Sequence, residues 1–206
     1  MTTQVTAFNE IEMVAWAGAV NKGVANAVAG LSEMVGEAIT ATALKSGHIP
    51  LKDVANLLGG PEALTVGVYL GFEGSATGRI VLAYHPKTAF GLIDMLMGEP
   101  AGSTQSLGDM EKSALMEMGN LMGAFFLNSL ADANGLSLCP TPPEVMIGEV
   151  RAILGAALSQ SQVELGAEEG LIVDATFGTQ DQQISGTFLV LPSPDLVRVL
   201  REKWNV

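Results

Sequence analysis

Glu62 to Gly98 reads EALTVGVYLGFEGSATGRIVLAYHPKTAFGLIDMLMG, and the fold is decided in this stretch. Val66, Val68, Leu70 and Phe72 alternate with Thr65, Gly67, Tyr69 and Gly71, the period of a strand. EGSAT is a turn and GRIVLAY a second strand, so the pair predicts an antiparallel hairpin. A helix is expected to start at Pro86, just after His85, because proline is well tolerated at the first helical position. Gly98 is its natural stop.

The same order returns near the C-terminus. GLIVDATFG is a strand, TQDQQIS a turn, GTFLVLPS a strand and PDLVRVLREKW a helix, with Ser193 as its expected N-cap. Gly78 matches Gly186 and Pro86 matches Pro194, both 108 positions apart. Upstream, NKGVANAVAGLSEMVG from Asn21 matches NLMGAFFLNSLADANG from Asn120, 99 positions on. The two offsets imply an insertion of nine residues in the second half, around LSQSQVELG. Each half then reads helix, strand, hairpin, helix. The expected architecture is a single domain over 1–206 made of two half-repeats, 10–98 and 107–204. GEPAGSTQSLGD (Gly98 to Asp109) links them. The fold class is α/β of the α+β type, pseudo-two-fold, with a largely antiparallel central sheet flanked by helices. Solenoids repeat at roughly 20 to 50 residues, so a period this long indicates a duplicated half-domain instead.

Composition narrows the function classes. With 48% apolar and 16% charged residues, a chain of 206 residues can bury a real core, and the composition argues against disorder. Aromatics are only 5%, so that core is aliphatic and methionine-rich. A net charge of −12 with no run of Lys or Arg argues against nucleic acid and against an anionic membrane surface. Cys139 is the only cysteine, which rules out an internal disulfide and fits a reducing cytoplasm. The N-terminus carries Glu10 and Glu12 and no basic region, so no signal peptide is read there, and no apolar stretch has membrane length. A soluble, cytoplasmic protein is expected. Cys139 is expected to be a buried structural thiol. His48 and His85 share no metal-ligand spacing, and neither a Walker loop nor a dinucleotide fingerprint is present. The ten methionines read as core filler, though Met116, Met118 and Met122 flank the stretch considered next. Asn26 and Asn128 read as helix packing or capping residues.

Ser113 to Val145 reads SALMEMGNLMGAFFLNSLADANGLSLCPTPPEV. Positions three apart share a helix face, so Glu117, Asn120, Ala124 and Asn128 form one polar stripe. Leu115, Met118, Met122, Phe125 and Phe126 fall mostly elsewhere. LSLCPTPPEV reads as a strand broken by prolines, an edge strand or a rigid shoulder. A carboxamide is no useful base or nucleophile, but it donates and accepts at once and can hold a water at a chosen angle. Phosphoryl transfer rewards such positioning. A glutamate one turn away can form an ion pair with a partner's Lys or Arg. Two readings fit the spacing: a solvated helix face, which is commonplace, and a site for hydrolysing something that another molecule brings.

The residues also carry a resemblance. Ser113, Glu117, Asn120 and Pro143 resemble the signature of the CheC/CheX/FliY phosphatases of chemotaxis: Ser or Asp, three residues, Glu, two residues, Asn, then Pro after 22 more. NKGVANAVAGLSEMVG and GTFLVLPSPDLVRVL resemble the family's first half and its closing strand and helix, and the two-half length suits CheC better than the shorter CheX. The resemblance implies hydrolysis of the aspartyl phosphate of a CheY-type response regulator. Asn120 would orient the attacking water, Glu117 would grip the receiver's active-site lysine, and Ser113 and Pro143 would complete the motif. No cofactor of the chain's own is implied, since the Mg²⁺ belongs to the receiver. CheD, the receptor deamidase that CheC proteins can bind, is a further implied partner.

One departure stands out. CheC proteins often carry a site in each half, and here Asn21 keeps the Asn position while Gly18 stands where the Glu would be. Leu44 stands where the Pro would be. One working site is expected, in the second half. The loss of a site in one half also leaves room for a rival, a non-catalytic module that binds a receiver domain or CheD.

Overall fold

The computed structural model describes residues 8–159, 169–179 and 183–204. The insertion expected around LSQSQVELG lies outside the described residues from 160 onward, as does the tip of the TQDQQIS turn at 180–182. The first run of elements is α1 (Glu10–Val35), β1 (Thr40–Pro50), α2 (Leu51–Leu57), β2 (Leu64–Gly74), β3 (Gly78–Tyr84) and α3 (Pro86–Met97). The second is α4 (Asp109–Asn134), β4 (Leu138–Pro140), β5 (Glu144–Glu149), α5 (Val150–Ser159), β6 (Glu169–Gly178), β7 (Gln183–Pro192) and α6 (Pro194–Trp204).

Local chemistry sets the helix ends. The Asn9 carboxamide accepts from the Glu12 N–H at 3.0 Å while the Glu12 carboxylate accepts from the Asn9 N–H at 2.7 Å, a reciprocal cap for α1. His85 caps α3 by accepting from the Lys87 N–H, and Ser193 caps α6 by accepting from the Leu196 N–H. The two long helices both end on a glycine at positive φ, Gly36 at 75° and Gly135 at 61°.

All strand pairs are antiparallel, in the order β1-β6-β7-β3-β2-β4, with β5 also on β2. The hairpins β2–β3 and β6–β7 lie side by side through β3 and β7. The leading strand of each half crosses over: β1 pairs with β6, while β4 and β5 pair with β2. The β3–β7 register sets Val81 opposite Leu189, and these two are themselves the 108-position equivalents. The pseudo-two-fold axis therefore passes through that pair. The helices obey it as well. Asn26 donates to the Ser129 hydroxyl at 3.1 Å, and their 99-position equivalents, Phe125 and Gly30, also meet. The Phe125 ring fills the space that a side chain on Gly30 would need.

α1, α3, α4 and α6 cover one face of the sheet over a core that includes Trp16, Leu31, Val68, Leu70, Ile80, Leu82, Phe126 and Phe177. The other face has a smaller core, in which Tyr69, Val81 and Leu189 meet Val54 of α2 and Ile153 and Ala157 of α5. This second cover corrects the simple helix–strand–hairpin–helix order. β2 is buried on both faces from Thr65 to Leu70, and Gly67 makes room for Ile153, whose Cγ2 lies 2.6 Å from where a Cβ would stand. The Cys139 expectation is also corrected. Leu138 turns into the core, so the next residue on this edge strand, Cys139, turns outward and is exposed.

Two contacts pin α6 to the long helices. Arg201 Nε meets the buried Glu12 carboxylate at 2.7 Å, and Trp204 Nε1 donates to Asn134 Oδ1 at 2.7 Å. Asp94, near the end of α3, fastens the linker. Its buried carboxylate accepts from the Gly102 N–H at 2.7 Å and the Thr104 N–H at 2.8 Å. Burial pushes this carboxyl up, but the Thr104 hydroxyl and the Thr104, Gly102 and Ser103 amides outweigh it and hold the pKa below the ordinary value. A depressed folded-state pKa contributes stability above the unfolded value and loses it as pH falls through the folded one. Asp94→Asn is expected to cost about 1–3 kcal/mol in urea unfolding at neutral pH. The gap to wild type should narrow as pH falls below the ordinary carboxylate range and through the depressed folded-state value.

Candidate functional site

α4 places the residues of the motif. Its inner face carries Leu115, Met118, Gly119, Met122, Gly123, Phe126, Leu127 and Leu130, all buried. Gly119 and Gly123 lie on β2. A Cβ at Gly119 would stand 2.5 Å from Val68 Cγ1, and one at Gly123 would stand 2.6 Å from Leu70 Cδ1. With its inner face fixed in this way, the opposite stripe of Ser113, Glu117, Asn120 and Asn128 is exposed. Neither Glu117 nor Asn120 has a hydrogen-bond or ion-pair partner among the described residues, so both are available to an incoming molecule.

Pro143 reaches the same place by another route. After α4 the chain returns as β4, an edge strand on β2, breaks, and resumes as β5 on the same β2. The break is fixed by Thr141. Its N–H donates to the Gly71 carbonyl at 2.8 Å, and its hydroxyl accepts from the Gly71 N–H at 2.9 Å. Pro142 and Pro143 have no N–H to give the ladder, so the strand departs there. The Tyr69 hydroxyl, donating to the Glu144 carboxylate at 2.7 Å, re-seats the chain for β5. Pro143 Cβ then lies 3.8 Å from the Cβ position of Gly119, which sits between Glu117 and Asn120 in sequence. The structure thus brings Pro143 beside the helix turn that carries Glu117 and Asn120, with the exposed Ser113 one turn earlier. Thr141 was missed in the sequence. Its signal is a hydroxyl just before a Pro-Pro pair, which becomes meaningful only once Gly71 is known to face it.

On α1 the equivalent stripe holds Gly18 and Asn21, both exposed. Nothing lies within 4 Å of a Cβ built on Gly18, so the position is open but carries no carboxylate. Leu44 sits within β1, paired with Ala175, and β1 runs from Thr40 to Pro50 with a register irregularity at Ala41/Ala43 in place of a proline break. The first half therefore assembles no Glu–Asn–Pro cluster. Among the described residues, no group of three or more His, Cys, Asp or Glu side chains is placed to hold a metal, and no helix is long and apolar enough to cross a membrane.

Among the comparisons with known proteins, one falls on this segment and the others span most of the chain. The CheC-like family model matches residues 110–147, which run from the start of α4 into β5. The CheY-P phosphatase CheC of Bacillus subtilis is 26% identical over 181 residues, covering 85% of each chain. The crystal structure of Thermotoga maritima FliY superimposes with a TM-score of 0.72 at 20% identity, covering 97% of this chain and 98% of the chain in that structure. The CheX–CheY–BeF3–Mg²⁺ complex of Borrelia burgdorferi matches with a TM-score of 0.50 at 20% identity, over 83% of this chain and 97% of that one.

Gly119 on the inner face of α4 and Gly18 on the outer stripe of α1 have opposite settings, which yields a stability test. Gly119→Ala forces a methyl against Val68 and is expected to destabilise by about 1–3 kcal/mol in thermal or urea unfolding. Gly18→Ala, in open space on a helix, is expected to stabilise by up to about 1 kcal/mol. The chain is thus similar to CheC in sequence and to FliY in fold.

Proposed function

We propose that the chain hydrolyses the aspartyl phosphate of a CheY-type response regulator at the outer face of α4. The observation that carries this reading is the exposed, unpartnered pair Glu117 and Asn120, held one turn apart on a helix whose backbone is seated on β2. Asn120 positions a water through its carboxamide, accepting from it and steering its lone pair towards phosphorus. The water oxygen bonds to phosphorus as the bond to the receiver's aspartyl oxygen breaks. The receiver recovers its carboxylate, and inorganic phosphate leaves. Glu117 forms an ion pair with the receiver's lysine and so sets the angle of approach. No group on this chain becomes covalently modified, and Mg²⁺ comes with the receiver. The similarity to CheC of B. subtilis, a CheY-P phosphatase, supports the same reaction class.

A second reading has one observation in its favour. Gly18 occupies the Glu position of the first half, so one face of this fold stands without the pair. A module that only binds a receiver or CheD would use the α4 face for contact alone. The decay of a phosphorylated CheY-type receiver, with this chain at substoichiometric amounts, separates the two. Hydrolysis predicts acceleration by wild type and a drop in turnover of at least about 10²-fold for Asn120→Ala, roughly 2.7 kcal/mol of barrier. Glu117→Ala is expected to raise KM more than it lowers turnover. No acceleration by wild type would favour the binding module, and equal acceleration by Asn120→Ala would overturn the role given to Asn120.

A further inference from the structure

Four consecutive residues of β2 hold both supports of the candidate site. Val68 and Leu70 lie under Gly119 and Gly123 of α4. Tyr69 and Gly71 hold the chain on either side of the prolines, Tyr69 through Glu144 and Gly71 through Thr141. The register shows what lies between these two pins. Phe72 faces Pro140 in β4, and Tyr69 faces Glu144 in β5. Between those pairs β2 has two residues, Leu70 and Gly71, while the other strand has three, Thr141, Pro142 and Pro143. Thr141 takes Gly71, so Pro142 and Pro143 stand together against Leu70 as a β-bulge. Bulges re-aim side chains and are common beside functional sites. The first half bulges at the equivalent place, where Ala41 faces Phe177, Ala43 faces Thr176 and Thr42 is in excess. There Ala43 and Leu44 stand at the positions of Pro142 and Pro143, and Lys45 faces Asp174 where Glu144 faces Tyr69. The bulge therefore belongs to the fold. The prolines and the Tyr69–Glu144 hydrogen bond accompany the half that carries Glu117.

We infer that Tyr69, assisted by Thr141, is a positioning residue of the candidate site: the two pin the proline bulge so that Pro143 stays against the turn of α4 carrying Glu117 and Asn120. This rests on the reading of that turn as the hydrolytic site. Tyr69 is buried in the core on the far face of the sheet from α4, so it touches no incoming molecule there. Its hydroxyl donates to the Glu144 carboxylate at 2.7 Å, a charge-assisted bond with a set direction. Glu144 follows Pro143 in the chain, so this bond fixes where the bulge ends, and Thr141 on Gly71 fixes where it begins. Pro143 in turn stands beside Gly119, one residue before Asn120. That turn of α4 is thus supported from beneath by Val68 and from beside by Pro143. Loss of a pin lets the bulge relax and frees the turn on one side. The effect falls on the direction of the Asn120 carboxamide, hence on turnover more than on receiver affinity.

The test compares wild type with Tyr69→Phe, Glu144→Ala, Glu144→Gln, the double variant Tyr69→Phe/Glu144→Ala, Thr141→Val and, as a destabilised control far from α4, Asp94→Asn. Each is measured in turnover of the phosphorylated receiver, and the side-chain amide signals of Asn120 are recorded by NMR in the free chain. A misplacement of about 1 Å can cost roughly 10²-fold in rate, and loss of one pin of two is expected to cost about fivefold in kcat, with KM within about twofold. Tyr69→Phe, Glu144→Ala and Thr141→Val should all show this loss and displaced Asn120 signals. The double variant should lose no more than either single one, because both remove the same bond. Glu144→Gln, which keeps an acceptor for the Tyr69 hydroxyl, should restore kcat and the signals, and Asp94→Asn should leave both unchanged. Wild-type kcat in both Tyr69→Phe and Thr141→Val would overturn the positioning role while leaving the proposed hydrolysis standing. An equal loss of kcat in Asp94→Asn would overturn it too, as an effect of stability alone. No turnover by wild type, with Asn120 signals displaced in Tyr69→Phe and unmoved in Glu144→Gln, would overturn the hydrolysis while supporting the positioning. No turnover with unmoved signals in every variant would overturn both.

Discussion

A methyl group on Gly119 would overlap Val68, and one on Gly123 would overlap Leu70, so α4 lies on β2 with its backbone in contact with the sheet. The rest of the candidate site depends on that close approach. Once the inner face of a helix is fixed at two points one turn apart, its rotation about its own axis is fixed too. Glu117 and Asn120 then point outward in one direction only. Placing a site on a rigid element instead of a loop keeps the Asn120 carboxamide within a narrow range of angles, which the proposed in-line attack would require. The same approach leaves space at Gly119 for Pro143 to stand beside the helix.

The crossed strands explain how the two halves depend on each other. α4, Pro143 and β5 come from the second half, but the strand under them, β2, belongs to the first. The Thr141 clamp that shapes the proline break also grips β2, at Gly71. The second-half site thus stands on a first-half platform, which gives the first half a structural reason to persist without a glutamate of its own. The pseudo-two-fold axis through Val81 and Leu189 keeps the halves in register at the centre of the sheet. Arg201 on Glu12 and Trp204 on Asn134 close the helical layer at its end.

Much of this was legible in the residues. The alternation around Val66 to Phe72, the Pro86 and Ser193 helix starts and the paired offsets all record local geometry, and local geometry leaves a short-range pattern. The Ser113–Glu117–Asn120 spacing is likewise local to one helix. What was hidden depends on distant pairings. No period in the sequence says that β4 and β5 will sit on β2 instead of on their own hairpin. LKDVANL is too short to show helical periodicity, so α2 went unread, and with α5 it covers the second face that the alternation had left open. Cys139 faces solvent because its neighbour Leu138 takes the inward place, a parity that composition cannot supply. Thr141 and Asp94 act through Gly71 and Thr104, partners that only the fold brings to them.

The central claim is that a receiver meets the outer face of α4 and not its counterpart on α1. The side-chain amide signals of Asn120 and Asn21 report on the two faces separately. Titrating isotope-labelled chain with receiver loaded with Mg²⁺ and beryllofluoride, and following both carboxamides by NMR, tests the claim most directly. The Asn120 signals are expected to shift and broaden while those of Asn21 stay in place. Movement of Asn21 with Asn120 unperturbed would contradict it.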